Sequence, residues 1–390
     1  MKFKSALKVS VLATAIALTL SACGTAATPS ASSDVPTKLG ANEKTLSLLG
    51  WPGYAEDGST DPKVDWVTPF EQQTGCQVSF KPYGTSDEAM TLFKTGDYDA
   101  IAASGDATLR LIAGGQVAQL NTDLIPNYAG VFDFLKNRDW NTVDGKTYGV
   151  PHGYGANLLM YNTKVVKPAP TSWDVVFDKA SAYKGKVTAY DSPIYIADAA
   201  VYLMAHKPEL GIKNPYALDD TQLAAAVDLL KAQRQNIGEY WSDYLKSISA
   251  FESGDTVVGT TWQVIRNSMS AKATVEAVLP SEGATGWSDS WMISSTAKSP
   301  NCAYAWLNYI DSPKANAAAT EYFGEAPVTQ AACEFMSSAD TCASYHAGDA
   351  DYASKIYYWT TPISKCLDGR TDVKCTDYAR WTQAWQEIKG

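Results

Sequence analysis

Between residues 45 and 103 the chain alternates two kinds of hydrophobic pattern, and this alternation constrains the fold more than any other feature. Leu46-Ser47-Leu48-Leu49 is a short apolar run that enters the turn-like Trp51-Pro52-Gly53-Tyr54. Thr68-Pro69-Phe70-Glu71 has the form of a helix start, with Thr as cap, Pro at the first helical position and Glu at the third. Gly75 ends that helix. Cys76, Val78 and Phe80 then alternate with Gln77, Ser79 and Lys81, the period of a half-buried strand. Residues 85–88 open a second helix that stops at Gly96, and residues 98–103 read as a third strand. Strand, helix, strand, helix, strand predicts an α/β layer built on a mostly parallel sheet.

The theme continues downstream. Residues 157–161, 186–190 and 256–261 read as strands, and Leu223, Ala226, Val227 and Leu230 fall on one helical face. Ser312-Pro313 starts an Ala-rich helix through Tyr322. No fixed-period repeat suggests a solenoid or propeller. The length calls for two domains. No long linker separates them, so the backbone is expected to cross between them more than once.

The N-terminus fixes the compartment. Lys2, Lys4 and Lys8 lead into an apolar run, residues 9–20, broken only by Ser10, Thr14 and Thr19. About a dozen residues of helix rise roughly 18 Å, short of the roughly 30 Å of a bilayer core. The pattern is that of a removable export signal. Its end, Leu20-Ser21-Ala22-Cys23, has the form of a bacterial lipoprotein box. Residues 1–22 are expected to be cleaved, leaving Cys23 lipidated and the protein anchored to the cell membrane, in the periplasm or at the cell surface. Residues 23–43, rich in Ala, Ser, Thr and Pro in their first part, read as a flexible tether. Residues 1–22 hold three lysines and no acid, so their loss takes the formal charge from −10 to −13. Such a surface repels nucleic acid and attracts cationic solutes.

Beyond Cys23 six cysteines remain: Cys76, Cys302, Cys333, Cys342, Cys366 and Cys375. An even number in an exported chain predicts disulfides, with fifteen pairings open in principle. Cys333 and Cys342 are nine apart, as are Cys366 and Cys375, so each pair can close a short loop. That leaves Cys76 with Cys302. There is no CxxC, and no metal site or other cofactor is expected.

Motifs for catalysis are scarce. His152, His206 and His346 are scattered, and HExxH, GxSxG and a Walker loop are absent. A carboxylate pair of the glycosidase kind stays open, so an extracytoplasmic hydrolase is the alternative of a different class. The positive signal is aromatic. Trp51 and Tyr54 follow the first strand, Trp262 follows the strand 256–261, and Trp287 and Trp291 flank Asp289. In open α/β sheets ligands sit beyond the carboxyl ends of strands. Indole faces attract cations by roughly 0.5–2 kcal/mol, and a carboxylate adds a hydrogen bond of roughly 1.5–3 kcal/mol. Such a box suits an ammonium group. The same rings stack on sugars, and each tryptophan taken singly reads as core.

Several segments together resemble the spermidine/putrescine-binding family of bacterial solute-binding proteins. They are Gly50-Trp51-Pro52-Gly53-Tyr54, Phe70-Glu71-Gln72-Gln73-Thr74-Gly75, Asp144-Gly145-Lys146-Thr147-Tyr148-Gly149-Val150-Pro151 and Trp287-Ser288-Asp289-Ser290. The resemblance runs from about Thr45 to the C-terminus. It implies a type II periplasmic-binding-protein fold: two α/β lobes with mixed sheets, a hinge between them and ligand in the cleft. Lobe I is expected over 44–153 and 285–332, lobe II over 154–284 and 333–390. The resemblance also implies a non-enzymatic monomer that delivers its solute to the permease and ATPase of an ABC importer.

Carried over by position, Trp51 and Tyr54 match aromatic wall residues and Ser104 a polar contact. Trp262 and Trp287 match rings that sandwich an alkyl chain, and Asp289 the acid that pairs with an amine. Elsewhere the chain departs from the family. Ser192 and Tyr195 stand where the family has an Asp and a Glu for the opposite amine. Asp106 stands at a family tyrosine beyond Ser104, and Glu325 replaces a tyrosine in Gly324-Glu325-Ala326-Pro327. All these positions are candidate ligand contacts. The expected solute is a polyamine or related cationic amine. An opine, an aminophosphonate, thiamine or a sugar is the alternative within the same fold.

Overall fold

A computed structural model describes residues 35–269 and 273–390. The expected signal peptide, Cys23 and the tether up to residue 34 lie outside the described residues. The strands are β1 (Thr45–Gly50), β2 (Gln77–Pro82), β3 (Ala100–Ala103), β4 (Thr142–Val143), β5 (Lys146–Thr147), β6 (Val150–Asn162) and β7 (Val187–Tyr190). They continue with β8 (Ile237–Trp241), β9 (Val258–Trp262), β10 (Val275–Val278), β11 (Ala284–Ile293), β12 (Ala326–Pro327) and β13 (Ile356–Tyr358). β4 and β5 pair only with each other. The rest form one mixed sheet in the order β2-β1-β3-β11-β6-β9-β7-β8, with β10 and β12 added to β6 and β13 to β11.

Two parallel half-sheets make up this order. β2, β1 and β3 run parallel, and so do β9, β7 and β8. The long strands β6 and β11 join them. β11 pairs antiparallel with β3 through Ser290–Ile293, and β6 pairs antiparallel with β9 through Asn157–Tyr161. Between those segments β6 and β11 pair with each other, from Gly286↔Ala156 to Trp291↔Val150. Their register shifts between Asp289 and Ser290. Such irregularities re-aim a side chain and recur beside functional sites.

Each half is covered on both faces, as a parallel sheet requires. In β1, Leu46 and Leu48 pack with Phe70, Trp291 and Trp306, while Leu49 points to the other face with Phe93, Ile101 and Met292. In the second half, Leu159, Val187, Val258, Leu223, Leu230 and Trp381 share one core, and Met160, Trp241, Phe251 and Ile265 another. The result is a two-lobed α/β protein.

Local chemistry explains where sequence and structure agree. Thr85 caps the helix Ser86–Phe93 by accepting the Glu88 N–H, and Gly75 closes the helix Val67–Thr74 at φ 75°. Thr68 does not cap as expected. The helix begins earlier, and Asp65 Oδ1 accepts the Thr68 N–H at 2.9 Å. Residues 157–161 prove to be the end of a thirteen-residue strand. Pro151, Gly153 and Gly155 conceal its first half, because both residue types are poor strand formers. β11 gives no apolar alternation at all, since Thr285, Ser288, Asp289 and Ser290 interrupt it, yet all ten residues are buried.

Disulfides join Cys76 to Cys302, Cys333 to Cys342 and Cys366 to Cys375, the same three pairs to which the spacing points. The first ties the start of β2 to the helix Pro300–Ile310 across 226 residues of sequence.

Candidate functional site

A cavity of about 660 Å³ opens where strands of both halves end. Trp51, Pro52 and Gly53 follow β1, and Ser104 follows β3. From the other half come Tyr190 and Trp262 at the ends of β7 and β9, and Asp243 and Tyr244 after β8. This is the crevice beyond strand carboxyl ends in which α/β sheets bind ligands. Nine of its twenty lining residues are aromatic. Its ionisable carboxylates are Glu56, Asp243 and Asp289, and it is lined by no Lys, Arg or His.

The rings are fixed by contacts with one another and by their N–H groups. Trp51 donates Nε1–H to Ser104 Oγ at 3.1 Å and packs 4.6 Å from Tyr83. Trp262 donates to Asn157 Oδ1 at 3.0 Å, and its ring lies 5.4 Å from that of Trp287. Tyr190 stacks on Trp359 at 5.7 Å and 13°, and Trp359 lies 6.2 Å from Trp287. Gly155 allows this wall, because a Cβ there would overlap the Trp287 indole. The outcome is a preformed aromatic surface that costs little side-chain entropy on binding.

Asp289 is the charged group inside this surface, 2% exposed. Its Oδ2 accepts the Tyr54 hydroxyl at 2.8 Å, while Oδ1 has no hydrogen-bond partner among the described residues. Burial raises its pKa to about 6; the neighbouring polar groups of Ser104, Tyr54 and Trp51 oppose that rise without cancelling it. Asp289 is therefore mostly ionised at neutral pH, with one buried oxygen that no protein donor among the described residues satisfies. An ammonium group is a cationic donor, and its charge-assisted bond to a carboxylate is the stronger for being desolvated.

The other expected positions separate into two groups. Trp51, Ser104, Trp262 and Trp287 line the cavity with Asp289. Tyr54 and Glu325 lie behind that lining. Tyr54 is fully buried against His152, Trp291 and Phe323, and its hydroxyl lies 3.5 Å from Glu325 Oε2. Asp106 is buried in the first turn of the helix Gly105–Ala113 and accepts the Ser86 hydroxyl at 3.0 Å. Burial raises its pKa to about 7, against the pull of Ser86 and Arg110.

Ser192 and Tyr195 are outside the lining. Ser192 caps the short helix Pro193–Tyr195, and Tyr195 is a core residue bonded to Gln233. No acid of this segment lines the cavity. The remaining carboxylates of the lining, Glu56 and Asp243, come from other loops. Sequence reasoning missed these two, along with Tyr83, Tyr190, Tyr244, Tyr322, Phe323 and Trp359. Tyr190 and Trp359 gave one usable signal, an aromatic at a strand's end.

Metal and acid–base chemistry find little support in the side chains. Among the described residues, the group Cys366, Asp368 and Cys375 has ligand-like proximity, but its cysteines are joined in a disulfide and offer no thiolate. The buried couple of Asp289 and Glu325 presents only Asp289 to the cavity, so it is not a pair flanking a substrate.

Residues 65–345 match the family of bacterial extracellular solute-binding proteins. The chain belongs to that family. Among relatives of this solute-binding protein, the putrescine-binding periplasmic protein SpuD of Pseudomonas aeruginosa is 26% identical over 72% of this chain and 77% of its own. The putrescine-binding periplasmic protein PotF of Escherichia coli is 25% identical over 77% and 82%. The expected kinship with the spermidine/putrescine-binding proteins is thereby borne out. A putative spermidine/putrescine ABC transporter protein from Listeria monocytogenes superposes with a TM-score of 0.71 at 19% identity, over 89% of this chain and 99% of its own. The Agrobacterium tumefaciens protein MotA, solved with glucopine, superposes at 0.65 and 15%, over 89% and 100%. The two-lobed fold is shared with both of these solved structures. The family binds solutes for transport and is not an enzyme family.

Proposed function

We propose that this solute-binding protein is the lipid-anchored component of an ABC importer and takes a polyamine, or a related cationic amine, into the cavity. Asp289 is the observation that carries the reading: a buried carboxylate with one unpartnered oxygen, set among aromatic rings in a cavity lined by acids and no cations. A neutral sugar would leave that charge uncompensated, which is costly in a buried site. The putrescine-binding relatives support the same reading. Calorimetry with putrescine, cadaverine, spermidine, an amino acid and a sugar tests it. Saturable binding of an amine is expected, and binding of only a neutral solute would overturn it.

Delivery would follow from closure. In this reading lobe I spans 44–153 and 285–332, lobe II spans 154–284 and 333–390, and β6 and β11 bend where they cross. The closed, liganded monomer is what the permease and its ATPase would receive, while lipid on Cys23 holds it at the membrane outside the cytoplasm. Solution scattering should give a smaller radius of gyration with saturating amine. Cys23→Ser should release the protein from membranes, and an unmodified N-terminus at another residue would contradict the anchor.

A further inference from the structure

Glu325 stands where the family resemblance places a tyrosine, and it is fully buried behind the cavity lining. It immediately precedes β12, which pairs with β6 at Gly153 and Tyr154. Gly153 makes the room, because a Cβ there would overlap the Glu325 carboxyl group. Glu325 Oε2 accepts the Trp287 Nε1–H at 3.3 Å and lies 3.5 Å from the Tyr54 hydroxyl oxygen. Tyr54 has one proton to give, and the 2.8 Å contact directs it to Asp289. Glu325 Oε1 has no partner, and the nearest base is His152 Nε2 at 3.8 Å.

The ionisable groups facing Glu325 are Tyr54 from the loop after β1, His152 from β6, Asp289 from β11, and Tyr345. None carries a positive charge: burial holds His152 neutral, its pKa pushed down to about 3. The His152–Glu325 approach is therefore not an ion pair. Two carboxylates on one buried phenol, with no cation to offset them, do not both ionise. Asp289 holds the shorter bond and the contact with the cavity. Burial, and then the charge on Asp289, pushes Glu325 well above the carboxylate range.

We propose that Glu325 is a positioning residue that stays protonated, anchoring the Trp287 indole while limiting the deep end of the cavity to the single negative charge of Asp289. Oε2 is then the carbonyl oxygen that accepts the indole N–H, and Oε1 carries the proton on the side of His152. The deep end takes one ammonium group and rejects a second. The inference rests on the amine reading of the cavity for its ligand, but the protonation state of Glu325 can be read without any ligand.

The test combines two measurements on the full chain. Infrared difference spectra of wild type minus Glu325→Gln at pH 7 should show the carbonyl band of one protonated carboxyl group. Absence of that band overturns the proposal. Calorimetry with putrescine and spermidine, in two buffers of different ionisation enthalpy, reads affinity and protons exchanged. Glu325→Gln keeps the shape and the neutral state, so it should bind within about threefold of wild type and exchange the same number of protons. Glu325→Leu leaves the Trp287 N–H unpartnered and should bind about fivefold or more weakly. A Glu325→Gln loss as large as that of Asp289→Asn, or a changed proton count, overturns the proposal. If neither amine binds wild type, the amine reading fails while the infrared result still decides Glu325. If Glu325→Leu does not fold, the Gln variant decides.

Discussion

Tyr54 donates its hydroxyl to Asp289 Oδ2 at 2.8 Å, joining residues 235 positions apart in sequence. The bond ties the loop after β1 to the strand that crosses between the half-sheets, directly beneath the cavity. It is also one of the donors that keep Asp289 ionised despite burial. Tyr54→Phe removes the donor and leaves the ring. Protonation of Asp289 should then compete with amine binding at higher pH. We expect about tenfold weaker binding at pH 7, and the pH below which binding fails should move up from about 6. Calorimetry across pH 5–8 checks this. An unchanged midpoint would show that Tyr54 does not support the charge.

Acidic pH should stabilise the ligand-free protein. Burial raises Asp289 to about 6, Asp106 to about 7 and Asp198 to about 8. A folded pKa above the unfolded one gives stability that is full below about pH 4 and lost as pH rises through the folded value. Glu43, Asp219 and Glu282 are shifted the opposite way, so their contribution is lost only toward more acid pH. The melting temperature should therefore fall between pH 5 and pH 8, and Asp198→Asn should flatten that fall. A melting temperature that rises over this range would contradict the buried, raised carboxyls.

Charge at the cavity's other acids should matter only for extended ligands. Glu56 is half-buried, and Asp243 is exposed where it caps the helix Tyr244–Ser253. Asn is an equally good cap, so Asp243→Asn removes charge with little effect on folding. Glu56→Gln combined with Asp243→Asn should weaken spermidine about two- to fivefold and leave propylamine unchanged, as fits exposed ion pairs. Equal losses for both amines would argue against a second ammonium at these acids.

The three disulfides should differ in worth. In the loop-entropy account, the 226-residue closure of Cys76–Cys302 stabilises by about 5 kcal/mol, and each nine-residue closure by about 2.5–3 kcal/mol. Denaturant unfolding of the paired Ala variants should show the largest drop for Cys76 and Cys302. A larger drop for Cys333 and Cys342 would mean that local packing, not chain closure, sets their contribution.

Much of the fold is legible because β1, β2 and the flanking helices carry clean period-2 and capping signals. The crossing strands are not. Gly153 and Gly155 read as turn residues, yet they lie in β6 to admit Glu325 and Trp287. In β11 the polar residues that build the site erase the strand's own pattern. Trp262, Trp287 and Asp289 were readable because aromatic and acidic residues follow or interrupt strands. Glu56 and Asp243 were not, since their approach depends on loops whose paths only the tertiary structure sets. Ser192 and Tyr195, reached by counting along the family pattern, are drawn away by a local cap and a core hydrogen bond.

Asp289→Asn tests the central claim most directly. The change keeps the side chain's shape and removes the one buried charge on the cavity. Calorimetry at pH 7.5 with putrescine and spermidine should show binding to wild type and a loss of about thirtyfold or more in the variant, roughly 2 kcal/mol. Circular dichroism should show the same fold. Amine binding undiminished in Asp289→Asn, or a neutral solute bound equally by both proteins, would contradict a cation site built on Asp289.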